Sequence, residues 1–317
     1  KGLATSTPKE AKTYFKEMKL VTYKTEETSC DMIDLAFNKK RTNDRKKWLQ
    51  TYKRDNVLNY ANSSVTFTDF INKDLIHFSN SDNIRSIPSV FDGLKPSQRK
   101  IMYCSFKRNL TKKEIKVAQL SGYVSENGAY HHGETSLQGT IVNLAQTFVG
   151  SNNINLFDPV GQFGTRLQGG KDSGQPRYIM TKLTPLTQLL YNKTDNPLYK
   201  YLEDDGMSVE PEYYLPIIPM ILVNGCQGIG TGWSTDVPCY NPQDIISNIK
   251  RKIRGQSLQE MLPWYRGFTG SIEQITEKGV VKYITCGVYK KVSDTSVEIT
   301  ELPIKVWTDK YKEHVEK

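Results

Sequence analysis

The sequence predicts a mixed α/β protein centred on a helix-turn-helix with strands appended. Three observations indicate this fold. Apolar residues recur at helical spacing between residues 96 and 150. Turn-rich, glycine-containing sequence follows these helices, and beyond about residue 215 short apolar runs of strand length appear. No internal repeat and no low-complexity tract is present, which excludes a solenoid or a propeller.

The first 60 residues are expected to be helix-rich and basic. The run from Lys39 to Arg54 contains one acid, Asp44, among eight cations. Such a run is either a solvated helix face or a surface that faces phosphates, and the sequence leaves both interpretations open. The polar stretch 59–64 is expected to form a turn or linker.

Three helices are predicted in the central segment. Pro96 suits the first turn of a helix that runs through Phe106. A shorter second helix is expected over residues 111–120. The third is the clearest, because five apolar residues recur at helical spacing before Gly150. They are Leu137, Ile141, Leu144, Ala145 and Phe148.

The last hundred residues are expected to mix strands with one helix. Residues 216–223, PIIPMILV, predict a buried strand, and residues 244–253 predict a helix. From Gly267 onward short runs such as VEITELPI predict strands.

Composition bounds the class of protein. The 317 residues carry 43 Lys+Arg against 34 Asp+Glu, a net charge of +9, and 37% are hydrophobic. This fits about two folded domains and excludes a disordered chain. No window approaches the roughly 18 apolar residues of a membrane span, so no membrane partner is expected. Lys1 is not an initiator Met, so a piece of a longer protein is expected. The charge weakly favours a polyanionic partner.

The cysteines argue against a disulfide framework or a zinc finger. There are five, an odd number, and no two form a C-x-x-C pair. Reduced and mostly buried thiols are expected. They are Cys30, Cys104, Cys226, Cys239 and Cys286.

The segment GGKDSGQPRYIM contains the candidate nucleophile, Tyr178. A tyrosine is ordinarily a core or surface residue, and its phenol, with a pKa near 10, needs adjacent positive charge or a base to attack at neutral pH. Arg177 can supply this charge and can stabilise a pentavalent phosphorus; Lys171 and Arg166 lie upstream. The glycines at 169, 170 and 174 allow close backbone approach to a phosphodiester.

Two adjacent histidines, His131 and His132, precede the third helix. As metal ligands they are poor, because neighbouring residues point to opposite faces and no third ligand is evident. Hydrogen bonding to phosphate, proton relay and structural capping remain open.

A cationic group surrounds the start of the first central helix. It is either a solvated basic face or a phosphate-binding surface, since cations at a helix N-terminus call for a counter-charge. Its members are Arg85, Lys95, Arg99 and Lys100.

Two further segments invite a ligand assignment. NGCQGIGTGW lacks the spacing and the Lys of a nucleotide-binding P-loop, and is better explained as a glycine-rich loop presenting Ile229, a side chain able to wedge between base steps. The acidic cluster Glu203, Asp204 and Asp205 is expected to be a loop of solvated carboxylates rather than a metal site.

Taken together these segments resemble the DNA-cleavage core of type IIA DNA topoisomerases of the eukaryotic and eukaryotic-virus kind. The resemblance runs almost end to end, through KGLATS, DLAFNKKRTNDRKKWL, SIPSVFDGLKPSQRKIMY, GAYHHGE, GQFGTRLQGGKDSGQPRYI, GIGTGWST and ITELPIKVWT. It departs from the family at Ala4, usually Gly, and at Cys226 and Gln227, commonly Ala and Glu.

The resemblance implies a role for each candidate. Tyr178 matches the active-site tyrosine that forms a 5′-phosphotyrosyl link, and Arg177 the neighbouring catalytic arginine. His131 and His132 match the paired histidines at the scissile phosphate, with His132 the closer. Ile229 matches the isoleucine that intercalates and bends DNA. The DNA-contacting positions are Arg85, Lys95, Arg99, Lys100 and Lys171.

The resemblance also implies three regions: the C-terminal tail of a Toprim domain with a linker (1–65), a winged-helix domain with the active-site tyrosine (66–215), and the beginning of an α/β tower domain (216–317). The Mg²⁺ ligands would lie upstream in the Toprim domain and the ATP site in a separate ATPase domain. No metal ligands are expected in this segment, so DNA binding without efficient cleavage is expected of it alone.

The whole protein would be an ATP-dependent homodimeric isomerase that passes one double-stranded DNA through a break in another, with topoisomerase poisons as possible ligands. The location would be the nucleus in a cellular eukaryote, or the host cytoplasm or virion for a virus. An architectural DNA-binding module explains the charge and the helices but not the Arg177–Tyr178 pair, and a nuclease would leave free 5′-phosphates.

Overall fold

A computed structural model describes residues 5–18, 20–61, 63–204, 206–277 and 279–317. The chain divides into two compact units. The first comprises residues up to Ile84 together with Ile229–Ser234, and the second comprises Arg85–Gly228 and Thr235–Lys317. The predicted boundaries at 65/66 and 215/216 differ from this division, which falls at 84/85.

The first unit is helix-rich, as predicted. A small core joins its helices and is formed by Leu35, Trp48, Leu49, Ile71 and Ile76. Its two short strands pair in parallel. The elements are α1 (Pro8–Lys16), β1 (Thr22–Lys24), α2 (Ser29–Phe37), a 3₁₀ turn (Lys39–Arg41), α3 (Thr42–Gln50), β2 (Ser64–Thr66), α4 (Phe67–Phe70), a π-helical turn (Ile71–Leu75) and α5 (Ile76–Ser86).

Part of the basic run in this unit is used internally. Arg41 forms ion pairs with Asp31 at 2.6 Å and with Asp44 at 2.9 Å. The buried Arg45 donates hydrogen bonds to the carbonyl oxygens of Leu35 and Asn38. These two cations therefore brace the α2–α3 corner, and the lysines of the run lie at its surface.

The second unit is built on three helices and a three-stranded sheet. The elements are α6 (Pro96–Lys107), β3 (Ile115–Lys116), α7 (Val117–Asn127), α8 (Glu134–Ala145), β4 (Phe157–Val160) and β5 (Met180–Leu183). The strands are antiparallel in the order β3-β5-β4. Pro96 occupies the first turn of α6, as predicted. The inner faces of the helices and the sheet share one apolar core.

Two of these helices differ from their predicted bounds. The second begins at Val117 rather than Thr111, because Ile115 and Lys116 pair with β5 instead of joining a helix. The third ends at Ala145, and Gln146 adopts an extended conformation. Phe148 therefore lies outside the helix, where its ring meets Trp307 edge-on.

The rest of the unit consists of short helices and two-stranded ribbons. The elements are α9 (Pro185–Leu190), a 3₁₀ turn (Lys193–Leu198), β6 (Tyr201–Asp204), β7 (Met207–Pro211), α10 (Met220–Val223), β8 (Cys226–Ile229), β9 (Ser234–Val237), α11 (Pro242–Ile253), β10 (Ser271–Glu277), β11 (Val280–Cys286), β12 (Val288–Lys291), β13 (Val297–Glu301) and α12 (Thr308–Val315). The ribbons are β6-β7, β8-β9, β10-β11 and β12-β13.

The predicted helix at 244–253 and the C-terminal strands are confirmed. The predicted buried strand at 216–223 is wrong, because its second half is the short helix α10. Pro219 opens this helix and its carbonyl accepts a hydrogen bond from Leu222, whereas a proline inside a central strand would remove a donor from the ladder.

The cysteines carry no disulfide, and only Cys104 and Cys239 are buried. The expectation of mostly buried thiols is therefore wrong for Cys30, which is exposed, and for the two half-buried thiols, Cys226 and Cys286. No helix within the described residues is long and apolar enough to cross a membrane.

Candidate active site and nucleic-acid interface

The loop that joins β4 to β5, residues 161–179, carries the candidate nucleophile. Four glycines with positive φ let the loop pack tightly: Gly161 (+108°), Gly164 (+92°), Gly169 (+63°) and Gly170 (+85°). A Cβ at Gly169 would collide with the Trp307 indole, and one at Gly170 with the Gln146 amide. The buried Gln146 amide also donates to the Phe163 carbonyl at 3.0 Å. The loop is thus held from its inner side, and its outer side is exposed.

Tyr178 lies in a turn immediately before β5, and its side chain is 72% exposed. Its backbone N–H donates to the Gln175 carbonyl at 2.9 Å. The first turn of α7 holds both sides of this turn, since the N–H of Ala118 donates to the Pro176 carbonyl and that of Val117 to the Ile179 carbonyl. The backbone is therefore fixed while the phenol faces outward.

Arg177 lies directly beside this phenol. Its Cζ is 5.3 Å from the centroid of the Tyr178 ring, within the range of a cation–π contact. Its Nε and Nη2 donate to Oε1 of Gln175 at 2.8 Å and 2.7 Å. The predicted pairing of Arg177 with Tyr178 thus has a defined geometry, which places positive charge beside the candidate nucleophile.

The two upstream cations of the loop differ. Lys171 is exposed and remains available to a phosphate. Arg166 forms an ion pair with Glu301 at 2.5 Å and donates to the Leu302 carbonyl at 2.6 Å. Burial acts to raise the pKa of Glu301, but hydrogen bonds from Thr269 and Arg166 outweigh it and lower the pKa overall. Arg166 therefore fixes the loop to the end of β13.

The paired histidines lie in the segment before α8. His131 is exposed, and its Nε2 is 3.7 Å from Oδ1 of Asp204. His132 is exposed and meets the ring of Tyr130 edge-on, with centroids 5.4 Å apart. Among the described residues, His132 makes no hydrogen bond to Tyr178. A role for these histidines at a bound phosphate stays a prediction.

Two of the predicted DNA-contacting cations are engaged inside the protein. Arg99 is buried, and its Nε and Nη2 bind both oxygens of the fully buried Asp92 at 2.8 Å and 3.1 Å. Lys100 donates to the Gly128 carbonyl at 2.6 Å and to Glu210 at 2.9 Å. In this arrangement the charged groups of both side chains are held by internal carboxylates, which argues against the predicted contact with an external phosphate.

The other two cations of this group lie at the surface. Lys95 precedes α6 as its N-cap and is partly exposed, and its backbone N–H donates to the side chain of Gln98. Arg85 is exposed in the last turn of α5. With Lys171 they form the remaining set of candidate phosphate contacts, which stays a prediction.

Ile229 ends β8 and is 76% exposed. The turn beyond it is closed by a hydrogen bond from Gly230 N–H to the Trp233 carbonyl at 2.9 Å. Asn83 fixes the turn by donating to the Thr231 carbonyl at 3.1 Å. An apolar side chain held out on a braced turn has the form of an intercalating wedge, and the prediction for Ile229 is compatible with this geometry.

Two residues of the acidic cluster lie on a strand of a hairpin rather than in a loop. Glu203 and Asp204 lie on β6, and Asp205 lies outside the described residues. Within the described part of the chain, no group of three or more His, Cys, Asp or Glu side chains could hold a metal ion. The residues that the structure describes therefore do not fit a magnesium site.

Comparison with protein families assigns both parts of the chain. The family model that describes the A subunit of DNA gyrase/topoisomerase IV matches residues 85–317. The C-terminal associated domain of TOPRIM matches residues 1–83. The chain belongs to the type IIA DNA topoisomerases. The two matches meet within a residue of the structural division at 84/85.

Curated relatives agree with the type IIA assignment. The chain is 52% identical to DNA topoisomerase 2 of Candida albicans over 99% of its length, and 52% identical to that of Plasmodium falciparum over all of it. It is 51% identical to DNA topoisomerase 2-alpha of Cricetulus griseus. It spans about a fifth of these relatives, 21% and 23% of the first two.

A solved type IIA structure resembles the fold. The crystal structure of the Plasmodium falciparum topoisomerase II DNA-binding, cleavage and re-ligation domain matches with a TM-score of 0.82 and 51% identity. The match covers all of this chain and 43% of that one. The predicted family and the mixed α/β class are thus confirmed.

Three residues of this topoisomerase site escaped the sequence reasoning. Gln175 binds the candidate catalytic arginine, Trp307 packs under the tyrosine loop, and Asp92 neutralises Arg99. The aspartate lies seven residues before its partner, a spacing that carries no recognised motif. The tryptophan lies more than a hundred residues from the loop, so only the fold could find it.

Proposed function

We propose that this chain is the DNA-cleavage part of an ATP-dependent type II DNA topoisomerase. The enzyme would relax, decatenate and unknot duplex DNA by cutting both strands, passing a second duplex through the break and resealing it. The observation that carries the proposal is the exposed phenol of Tyr178, held on a rigid loop with the Arg177 guanidinium against its ring.

The chemistry is a reversible transesterification. Oη of Tyr178 attacks a backbone phosphorus, a new P–O bond forms, and the bond from phosphorus to the 3′ oxygen breaks. The phenolic proton is lost and the leaving 3′ oxygen gains a proton, so the products are a 5′-phosphotyrosyl link and a free 3′-OH. Arg177 stabilises the charge that develops on the phosphoryl oxygens. Because the ester is conserved, the 3′-OH reseals the strand by the reverse step without a further reactant.

Further roles follow within this proposal. The order α6-β3-α7-α8-β4-β5 supports a winged-helix domain, in which the tyrosine loop would be the wing. The ribbons and helices beyond it would open the tower domain, and the first unit would be the C-terminal part of a Toprim domain. His131 and His132 would hydrogen-bond the scissile phosphate, with His132 the closer.

Double-stranded DNA is the proposed partner. The net charge of +9 favours a polyanion. The exposed cations Arg85 and Lys171 and the partly exposed Lys95 would bind backbone phosphates, with affinity that falls as salt rises. Ile229 would enter a base step and bend the duplex. The complete protein would be a homodimer, nuclear in a cellular eukaryote and in the host cytoplasm or virion for a virus, and topoisomerase poisons would bind it with DNA.

The proposed cofactors of the complete enzyme are Mg²⁺ and ATP. The described residues hold no cluster suited to a metal ion. Its ligands are proposed to lie in another part of the Toprim domain and the ATP site in another domain. The chain alone is accordingly expected to bind DNA without efficient cleavage.

Covalent trapping in the complete enzyme tests the proposal. Duplex DNA is incubated with enzyme and Mg²⁺, denatured with detergent, and examined for protein attached to 5′ ends. The wild type and the control Tyr289→Phe, which alters a similarly exposed tyrosine, should both give attached ends, whereas Tyr178→Phe should give none and still bind DNA. Attached ends in Tyr178→Phe would overturn the assignment. DNA binding without any cleavage by the wild type would favour an architectural module, and free 5′-phosphates a nuclease.

A further inference from the structure

Gln175 makes contacts that tie Arg177 to Tyr178. Its side-chain Oε1 accepts from both Nε and Nη2 of Arg177, at 2.8 Å and 2.7 Å. Its backbone carbonyl accepts from the N–H of Tyr178 at 2.9 Å. One residue thus sets the orientation of the guanidinium with its side chain and the backbone of the nucleophile with its carbonyl.

The turn that carries Gln175 is itself anchored on both sides. The N–H of Gly174 donates to the Gln162 carbonyl at 2.7 Å, and the Pro176 carbonyl accepts from Ala118 at 3.0 Å. A Cβ on Gly174 would press on the Ile179 side chain, so the backbone passes close to the core here. Gln175 itself is exposed, yet its backbone is fixed, so its amide projects from a rigid point.

We propose that Gln175 is a positioning residue for the phosphotyrosyl reaction, holding the Arg177 guanidinium against the Tyr178 ring before DNA arrives. The inference rests on the proposed function of Tyr178. A guanidinium on a flexible stem loses rotational freedom when it is fixed. Fixing it beforehand removes that cost from the reaction step, because the charge already faces the place where negative charge develops.

An amide suits this task better than a carboxylate. It accepts two hydrogen bonds but carries no charge, so the positive charge of Arg177 stays available. A guanidinium has five N–H donors, and Gln175 uses two of them. Three donors are left for the oxygens of a phosphate. A glutamate at this position would keep the geometry but neutralise the charge.

The first test compares Gln175→Ala with Gln168→Ala in the complete enzyme. Gln168 is exposed on the same loop, and its side chain has no hydrogen bond among the described residues. Single-turnover cleavage of prebound duplex DNA should slow about tenfold in Gln175→Ala, the effect of one charge-assisted contact at an exposed site. DNA affinity should stay within twofold. Gln168→Ala should change neither. Equal cleavage rates for the two variants would overturn the proposal.

The second test asks whether Gln175 acts through Arg177. In an Arg177→Ala background, followed over long incubations, Gln175→Ala should cause no further loss. An equal tenfold loss in both backgrounds would assign Gln175 a role independent of Arg177 and overturn the proposal.

The pH profile supplies a readout that a purely structural role would not move. In Gln175→Glu the carboxylate neutralises the cation beside the phenol, so the rising limb of the cleavage rate should shift to higher pH than in Gln175→Ala. Coincident limbs would contradict the proposal. Tyr178→Phe is measured in parallel. Covalent product in that variant would overturn the proposed function itself. If Tyr178→Phe gives no covalent product while Gln175→Ala cleaves at the wild-type rate, only the positioning role is overturned.

Discussion

Replacing Arg99 by Met is expected to destabilise the region around α6 without weakening DNA binding. Asp92 is fully buried and accepts four hydrogen bonds. Two come from Arg99, and the others from the N–H groups of Leu94 at 2.9 Å and Tyr214 at 2.9 Å. Met fills a similar volume but leaves a buried carboxylate without its counter-charge. Removing one partner of such a pair costs about 3–5 kcal/mol.

Amide hydrogen exchange followed by mass spectrometry measures this locally. If the opening free energy falls by about 3 kcal/mol, the population of the locally unfolded state rises by more than about a hundredfold. Exchange of the α6 amides and of the Tyr214 amide should accelerate by the same factor. The double variant Asp92→Asn with Arg99→Met removes the unpaired charge and should recover part of the loss.

Lys95→Met is the matched control at the start of the same helix. Its side chain is partly exposed and forms no ion pair with any described residue. The opening free energy measured by amide exchange should stay within about 0.5 kcal/mol of wild type. The slope of log affinity against log salt should fall in magnitude by about 0.9, because one phosphate contact is lost. The reasoning fails if Arg99→Met leaves exchange unchanged and lowers the salt slope instead.

Two further predictions concern the tyrosine loop and the buried thiols. Gly169→Ala should lower the free energy of unfolding by about 2–5 kcal/mol, because a Cβ at φ +63° is strained and also collides with Trp307, and the yield of covalent complex should fall as well. The control Gly206→Ala has φ +72° but open space around it, so it should show the backbone cost alone, about 1–2 kcal/mol. Equal denaturation midpoints for the two variants would refute the packing argument. Burial raises the pKa of Cys104 and of Cys239 to about 12. The folded state therefore holds these protons more tightly than the unfolded chain, in which a thiol has a pKa of about 8.5. The two protonated thiols should therefore contribute their full stability below about pH 8.5, and this contribution should be lost as the pH rises toward about 12. Between about pH 8 and 11 the melting temperature of a variant with alanine at both positions should fall less than that of wild type. Parallel curves of melting temperature against pH would contradict this.

The elements that the sequence predicted well are those whose signals are local. Pro96 at the first turn of α6 and the apolar spacing of α8 act within one helix. The helix α6 lies where expected, and α8 does so as far as Ala145. The segment 216–223 has an apolar run that fits a buried strand or a buried helix equally, and only its contacts decide between them. The start of α7 depends on pairing with β5, more than sixty residues away.

The candidate site divides in the same way. The candidate nucleophile and the arginine beside it are adjacent in the chain, so a motif could find them. The ion pairs of Arg99 and Lys100 could not be predicted, because the fold alone brings Asp92 and Glu210 to them. A basic cluster has the same sequence signature whether its charges face solvent or buried carboxylates.

By itself the sequence determined the family, the mixed α/β class and the candidate nucleophile, since these depend on residue types and on spacings within single elements. The tertiary structure decided which cations remain exposed, which glycines make room for Trp307, and that Gln175 holds Arg177. The physical reason is that burial and ion pairing depend on which distant segments of the chain are in contact. Local periodicity in the sequence carries no information about those tertiary contacts.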